Sequence, residues 1–332
     1  MRVVVIGLFR KTARSKPTKR RYAVSFLSSD QLWIVSSGPP HRQGTFRRKR
    51  RRLLAREELL HGLHFNRPAD MPRAMVSVDR LDHRRQQAPR ILAEETPVAL
   101  VYNGTTLAVV MATPADLGDL AVGFSLTEGI IRHPAEIEEL ETLRHADGIE
   151  LRMWMSRERG DRLSARQRRL VGPTGCGLCG IESLTDANRS VPPVRRTFSL
   201  TPGQVAAAVG SLAEAQDLNR ATRATHAAGF YSAEAALILL REDVGRHNAV
   251  DKLAGALAAE GVEGSSGVLV LTSRVSIELV QKAAAIGCGF LIAVSAPTAL
   301  AVRAATACGM TLVGVARGSE FEIFSHPGGL AA

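Results

Sequence analysis

Few cysteines, few aromatics and no long apolar run mark this chain of 332 residues. Only four cysteines occur, Cys176, Cys179, Cys288 and Cys308. That number excludes a disulfide-dense scaffold, and with no export signal it points to a reducing cytoplasm. No run of about 18 apolar residues occurs, so no membrane-spanning helix is expected. The opening Val3-Val4-Val5-Ile6 is too short for a secretory core, and a basic stretch follows it. Neither G-x-G-x-x-G nor G-x-x-x-x-G-K-[ST] is present, which argues against a standard dinucleotide or P-loop site.

What is abundant is positive charge, +11 overall, but it is unevenly placed. Residues 1–74 hold 18 Lys and Arg against 4 Asp and Glu, whereas residues 75–332 hold 25 against 28. The basic character therefore belongs to the N-terminal segment. Its run Phe46-Arg47-Arg48-Lys49-Arg50-Arg51-Arg52 has no interleaved aromatics of the kind that stack on bases. Residues 1–74 are expected to be a disordered extension or sequence upstream of the true start, with Met71 or Met75 as the initiator. No nucleic-acid partner is expected.

Regular structure is expected from about residue 90. "PVALVYNGTTLAVVMAT" reads as a hairpin about Asn103-Gly104, since both residues tolerate positive φ. In "TPADLGDLAVGFSLTEGII", Thr113 is the expected helix cap and Pro114 suits the first turn. Leu117, Leu120, Ala121 and Phe124 share its apolar face, and Gly129 closes it. Residues 137–155 read as strands. The Pro-containing "SVPPVRRTFSLTPGQ" reads as a linker. The last third alternates strand (267–272), helix (276–287), strand (290–295), helix (297–309) and strand (311–316), a parallel-sheet pattern. These readings divide the chain into an N-terminal α+β domain, residues 75–200, and a C-terminal α/β domain, residues 201–332.

Ligands of parallel sheets bind beyond the strands' carboxyl ends. Here those ends carry Thr272-Ser273-Arg274, Ser295 to Thr298, and Ala316 to Glu320. Hydroxyls, helix N-termini, Arg274 and Arg317 suggest a phosphate-bearing ligand. "REDVGRHN", residues 241–248, reads as either a buried network or a ligand edge, and His226 as either a core histidine or a ligand.

"GPTGCGLCG", residues 172–180, places Cys176 and Cys179 among glycines. Three chemistries compete. Structural zinc would need a second pair of ligands, and Cys288 and Cys308 lie singly in apolar surroundings. A redox pair would sit at a helix start after a strand. A mobile nucleophile would use the glycines for movement and the nearby Arg166, Arg168 and Arg169 to favour the thiolate.

Taken together, "NGTTLAVVMATP", "GFSLTEGII", "TGCGLCGIESL", "THAAG", "REDVGRHNAVDKLAG", "SRVSIELVQKAA", "AVSAPTALAV" and "TLVGVARG…FSHP" resemble the formate dehydrogenase accessory sulfurtransferases. The resemblance spans about residues 90–327. It implies an α/β fold, a cytidine-deaminase-like C-terminal domain with a mixed or parallel sheet plus a smaller α+β N-terminal domain. It implies that a cysteine desulfurase loads a persulfide on Cys176, with Cys179 assisting or protecting it. The sulfur then passes to the molybdenum cofactor, a bis(molybdopterin guanine dinucleotide), before insertion into formate dehydrogenase. The cofactor-binding positions implied are Val315, Ala316, Arg317, Gly318, Ser319 and Glu320, with no metal site in the protein and a homodimeric assembly. A cofactor-binding chaperone with a structural or zinc-binding cysteine pair is the alternative. Deaminase chemistry is not implied: Ala228 stands where H-x-E needs its glutamate, Gly175 replaces the proline before Cys176, and the cysteines precede the histidine. Two departures from the pattern are Arg223 and Ala224, where glycines are usual, and Glu320, an acid where a base would suit a polyanion.

Overall fold

Asn103 and Gly104 turn the chain with φ of 47° and 79°. Two successive left-handed residues match the twist of a tight hairpin, and the hairpin expected from the sequence is there: β3 (Thr96–Tyr102) pairs antiparallel with β4 (Thr105–Ala112). The structure, a computed structural model, describes residues 71–156, 158–160, 191–234 and 236–331. Regular structure starts earlier than expected. An antiparallel ribbon, β1 (Met75–Leu81) with β2 (Gln87–Ala93), precedes the hairpin. The Asp82 carboxylate accepts from the Arg84 and Gln86 amides at 2.8 and 2.9 Å and shapes its turn.

After β4 come α1 (Leu117–Thr127), β5 (Ile137–His145) and β6 (Gly148–Met155). The four strands form a sheet of order β4-β3-β6-β5, with β3 parallel to β6. Val98, Leu100, Leu151 and Met153 bury one face of it against Leu117, Leu120 and Ala121 of α1. Tyr102 meets Ser125 in that core, oxygen to oxygen at 2.7 Å. Phe124 is only partly buried on the same face. Thr113 does not cap α1. The N-cap is Asp116, in left-handed conformation with no side-chain cap bond. Thr113 is instead taken by a distant strand, as described below. Gly129, at φ 67°, follows the helix end as expected.

The expected linker is also partly helical. Thr201 and Gln204 form a reciprocal capping box, and Pro202 opens α2 (Pro202–Ala215). There follow α3 (Asp217–Thr222), β7 (His226–Ser232), β8 (Ala236–Asp243), α4 (Arg246–Ala259), β9 (Val268–Leu271), α5 (Ile277–Ala285), β10 (Phe290–Ala293), α6 (Ala299–Cys308), β11 (Thr311–Arg317) and β12 (Glu320–Ser325). These strands make a sheet of order β12-β11-β10-β9-β7-β8. Strands β9, β10 and β11 run parallel, as the alternating pattern predicts, and the outer pairs are antiparallel. The protein is thus a mixed α/β structure with parallel and antiparallel pairing in both larger sheets.

β9 and β10 are buried on both faces. Leu269, Leu271 and Leu291 face α4, α5 and α6, with Leu253, Leu279 and Val280 against them. Val268, Val270 and Ile292 face α2, packing on Val205 and Leu212. Cys288 and Cys308 are buried in this core, and burial pushes the Cys288 thiol up to about 11. Both are inert packing residues rather than nucleophiles.

Helix α1 lies between the four-stranded sheet and α4. Gly123 of α1 and Gly255 of α4 allow the backbones to touch: a Cβ on Gly123 would overlap the Asp251 carbonyl oxygen, and one on Gly255 the Asp119 carbonyl oxygen. No described helix is long and apolar enough to cross a membrane.

Candidate functional site

The carboxyl ends of β9, β10 and β11 share one sheet edge. Because β7 and β8 are antiparallel neighbours, β7 begins at this edge with His226 and β8 ends there with Asp243, its register partner. Three helices start from it: α4 after β8, α5 after β9 and α6 after β10. The connecting segments are tied together. The Thr298 amide donates to the Val275 carbonyl at 2.9 Å, and the Val315 amide to the Ser295 carbonyl at 3.2 Å. Thr272 anchors the start of β7 by accepting from the Ala227 amide at 2.9 Å.

Thr298 caps α6, accepting from the Ala301 amide at 3.2 Å. Neither the Gly245 N-cap of α4 nor the Ser276 N-cap of α5 makes a side-chain cap bond. The α4 N-terminus therefore brings an uncapped first turn to this edge, where anions are favoured, whereas in the first turn of α5 the Glu278 carboxylate accepts from its own backbone amide. Arg246 opens α4, and Arg274 is exposed just before α5. His226 and His247 line the same edge. Burial, and then the Arg246 guanidinium, hold both rings below the usual histidine pKa. Both are uncharged at neutral pH, so Arg246, Arg274 and Arg317 carry the positive charge. The Glu278 carboxylate lies 3.9 Å from His247 Nε2 and is half-exposed.

The segment Val315, Ala316, Arg317, Gly318, Ser319 and Glu320 forms the end of β11 and its turn into β12. Ala316 is buried in the core and Val315 partly so, whereas Arg317 to Glu320 are exposed at the tip. Arg317 and Glu320 are opposite each other in register. The Glu320 acid thus sits beside a base. Val315 has φ 53° within a bulge of the β11–β12 pairing. A β-branched residue resists that left-handed conformation. Arg223 is a parallel case: it caps α3 at φ 61°, a conformation that glycine adopts without steric cost.

"REDVGRHN" resolves mostly into a buried network. The Arg241 Nε donates to Asp119 Oδ2 of α1 at 2.7 Å. The Glu242 carboxylate accepts from the Leu218 and Asn219 amides at 2.8 Å each, capping α3. Asp243 is the centre. Its Oδ1 accepts from the Gly245 amide at 2.7 Å and Asn248 Nδ2 at 3.0 Å, and its Oδ2 from the Thr113 amide at 3.1 Å. Lys252 Nζ lies 2.6 Å from Asp243 Oδ2, with both side chains 0 % exposed. Lys252 also donates to the Thr113 carbonyl at 2.8 Å. This ion pair holds the turn into α4, and hence Arg246 and His247, in place at the sheet edge. Nothing in the sequence marks Lys252 as buried, because a helical lysine reads as a solvent-facing residue. A second buried lysine, Lys282 of α5, donates to Asp251 of α4 and Glu128 at 2.8 Å each and to Thr127 at 3.1 Å. Burial opposes its charge, but Asp251 and Glu128 outweigh burial and raise its pKa.

Cys176 and Cys179 lie outside the described residues.

The model of the FdhD/NarQ family matches residues 93–331. A protein of Agrobacterium fabrum named sulfur carrier protein FdhD is 51% identical over 238 residues, 71% of this chain and 88% of its own length. The protein of that name from Cupriavidus necator is 50% identical over 240 residues, 72% of this chain and 83% of its own. A crystal structure from Desulfotalea psychrophila, described as a formate dehydrogenase accessory protein, has the same fold, with a TM-score of 0.60 at 24% identity over 77% of this chain and 98% of that one. With a match that runs from the end of β2 nearly to the C-terminus, the chain belongs to the FdhD/NarQ family.

Proposed function

We propose that this protein is a sulfur carrier serving formate dehydrogenase. Two of the relatives above carry the sulfur carrier name, and the chain has the Cys-x-x-Cys sequence such a role needs. The Cys176 thiolate attacks the outer sulfur of a cysteine desulfurase persulfide. The bond between the two sulfurs of that persulfide breaks, and its electron pair leaves on the desulfurase thiolate. The sulfur now rides on Cys176 as a persulfide. Attack by the Cys179 thiolate on the inner sulfur would close a Cys176–Cys179 disulfide and release the outer sulfur as sulfide with both bonding electrons. Turnover then needs a thiol reductant to reopen the pair.

The acceptor in this reading is the bis(molybdopterin guanine dinucleotide) molybdenum cofactor, a substrate of the transfer. The observation that supports it is the carboxyl edge of the larger sheet. The uncapped N-terminus of α4 and Arg246, Arg274 and Arg317 suit the pyrophosphates of a guanine dinucleotide. The strained turn from Val315 to Glu320 presents Arg317 at that edge.

Guanosine diphosphate is the simplest probe. Arg274→Glu is expected to weaken its binding about tenfold to a hundredfold in a calorimetric titration, while the thermal midpoint stays near the parent's because Arg274 is exposed. Unchanged affinity in both Arg274→Glu and Arg317→Glu would move the ligand away from this edge.

A further inference from the structure

Three helices start at the carboxyl edge of the larger sheet, and one of them brings an acid with it. The first turns of α4 and α6 carry none, whereas α5 carries Glu278. A carboxylate that accepts from the α5 backbone there fills the place an anionic ligand would take at a helix N-terminus. Beside it lies a polar atom in need of a partner. His247 Nε2 is shut off from solvent and has no hydrogen-bond partner among the described residues, and Glu278 Oε2 stands 3.9 Å away. That gap is too long for a hydrogen bond and short enough for a side-chain rotation to close. The Glu278 side chain is 55% exposed, which leaves room for that rotation.

We propose that Glu278 is an internal occupant of the α5 N-terminus, which a ligand's phosphate displaces onto a protonated His247. The proposal rests on the reading of this edge as the site of a guanine dinucleotide, and it assigns that site a self-blocking contact. Burial and Arg246 keep the ring uncharged at neutral pH until a counter-charge arrives. The charged groups that face it are Arg246 of its own helix, Glu278 and Lys282 of α5, and Glu128 after α1. Asp251 follows one turn along α4. Lys282 already holds Glu128 and Asp251, so Glu278 is the carboxylate left to serve the ring. A phosphate entering the first turn of α5 repels Glu278 and takes over its backbone amide. The carboxylate swings to His247, whose ring takes up a proton from water, and Nε2 gains the partner it lacked. The sign with pH follows. Falling pH protonates the ring more readily, so acid favours the displaced state and tightens anion binding, and binding itself takes up a proton.

Two measurements on the full chain test this. In a calorimetric titration with guanosine diphosphate, Glu278→Gln is expected to bind about threefold to tenfold more tightly than the parent. Its thermal midpoint should fall slightly, since a favourable charge leaves the helix N-terminus. A residue that only caps α5 gives the other sign, weaker binding with the loosened turn. Proton uptake on binding, read from the dependence of the heat on the buffer's ionisation heat, should be smaller in His247→Gln than in the parent. The second measurement needs no ligand. The His247 ring, titrated by NMR, should lose its proton at lower pH in Glu278→Gln than in the parent, because the nearby negative charge is gone. Parent binding with Glu278→Gln no tighter would overturn the proposal, and so would a His247 midpoint that ignores Glu278. Binding by neither protein would overturn the ligand reading, and with it the exchange, even where the ring shifts.

Discussion

Lys252→Ala is expected to destabilise the fold by about 3–5 kcal/mol, because removing one partner strands a buried charge on the other. Asp243 has no exposure through which water could replace the ammonium. The Gly245 and Thr113 amides and Asn248 would still donate to it, and those bonds keep the loss from being larger. Lys252→Met should cost nearly as much, since the stem returns but the charge does not. Lys252→Met combined with Asp243→Asn should recover part of the loss, because no unpaired charge remains. Urea unfolding of the single and double variants measures each step. A Lys252→Ala protein within about 1 kcal/mol of the parent would mean that the pair is not the tie we describe. The same variant should loosen guanosine diphosphate binding, since Arg246 and His247 follow the turn that Asp243 holds.

Gly255→Ala is the second large effect, and its sign is the test. In an open helix, replacing glycine with alanine stabilises by about 1 kcal/mol. At Gly255 the added methyl meets the Asp119 backbone, so α1 and α4 must separate. The expected cost is about 2–3 kcal/mol. Gly210 of α2 supplies the internal control. It is exposed, with no atom within 4 Å of an added Cβ, so Gly210→Ala should stabilise. If both substitutions stabilise, the close helix crossing is wrong. Gly123→Ala should behave like Gly255→Ala. The pair should be less than additive, since one separation relieves both clashes.

Where local chemistry decides structure, the sequence was legible. Asn103-Gly104 needs only its own backbone freedom to make a turn, and β9 to β11 announce themselves as short apolar runs between helices. The β1–β2 ribbon is not legible in the sequence because most of its side chains are exposed, which leaves no apolar alternation to read. Thr113 looked like a cap because it precedes Pro114. Its true partners, Asp243, Val244 and Lys252, are more than a hundred residues away. The same distance hides the meaning of "REDVGRHN": its charges are split between a buried tie and the open sheet edge, and only the fold separates Asp243 from Arg246. The left-handed Val315 gave no warning at all, since nothing in a Val-Ala-Arg-Gly string demands positive φ there.

The central claim is that Cys176 takes up sulfur. Intact mass of the full chain, before and after incubation with a cysteine desulfurase and isotopically labelled cysteine, tests it most directly. The account predicts that the parent gains one labelled sulfur, lost again on treatment with a thiol reductant, and that Cys176→Ala gains none. Label that still arrives on Cys176→Ala at the parent's level, or a parent that acquires none, would contradict it.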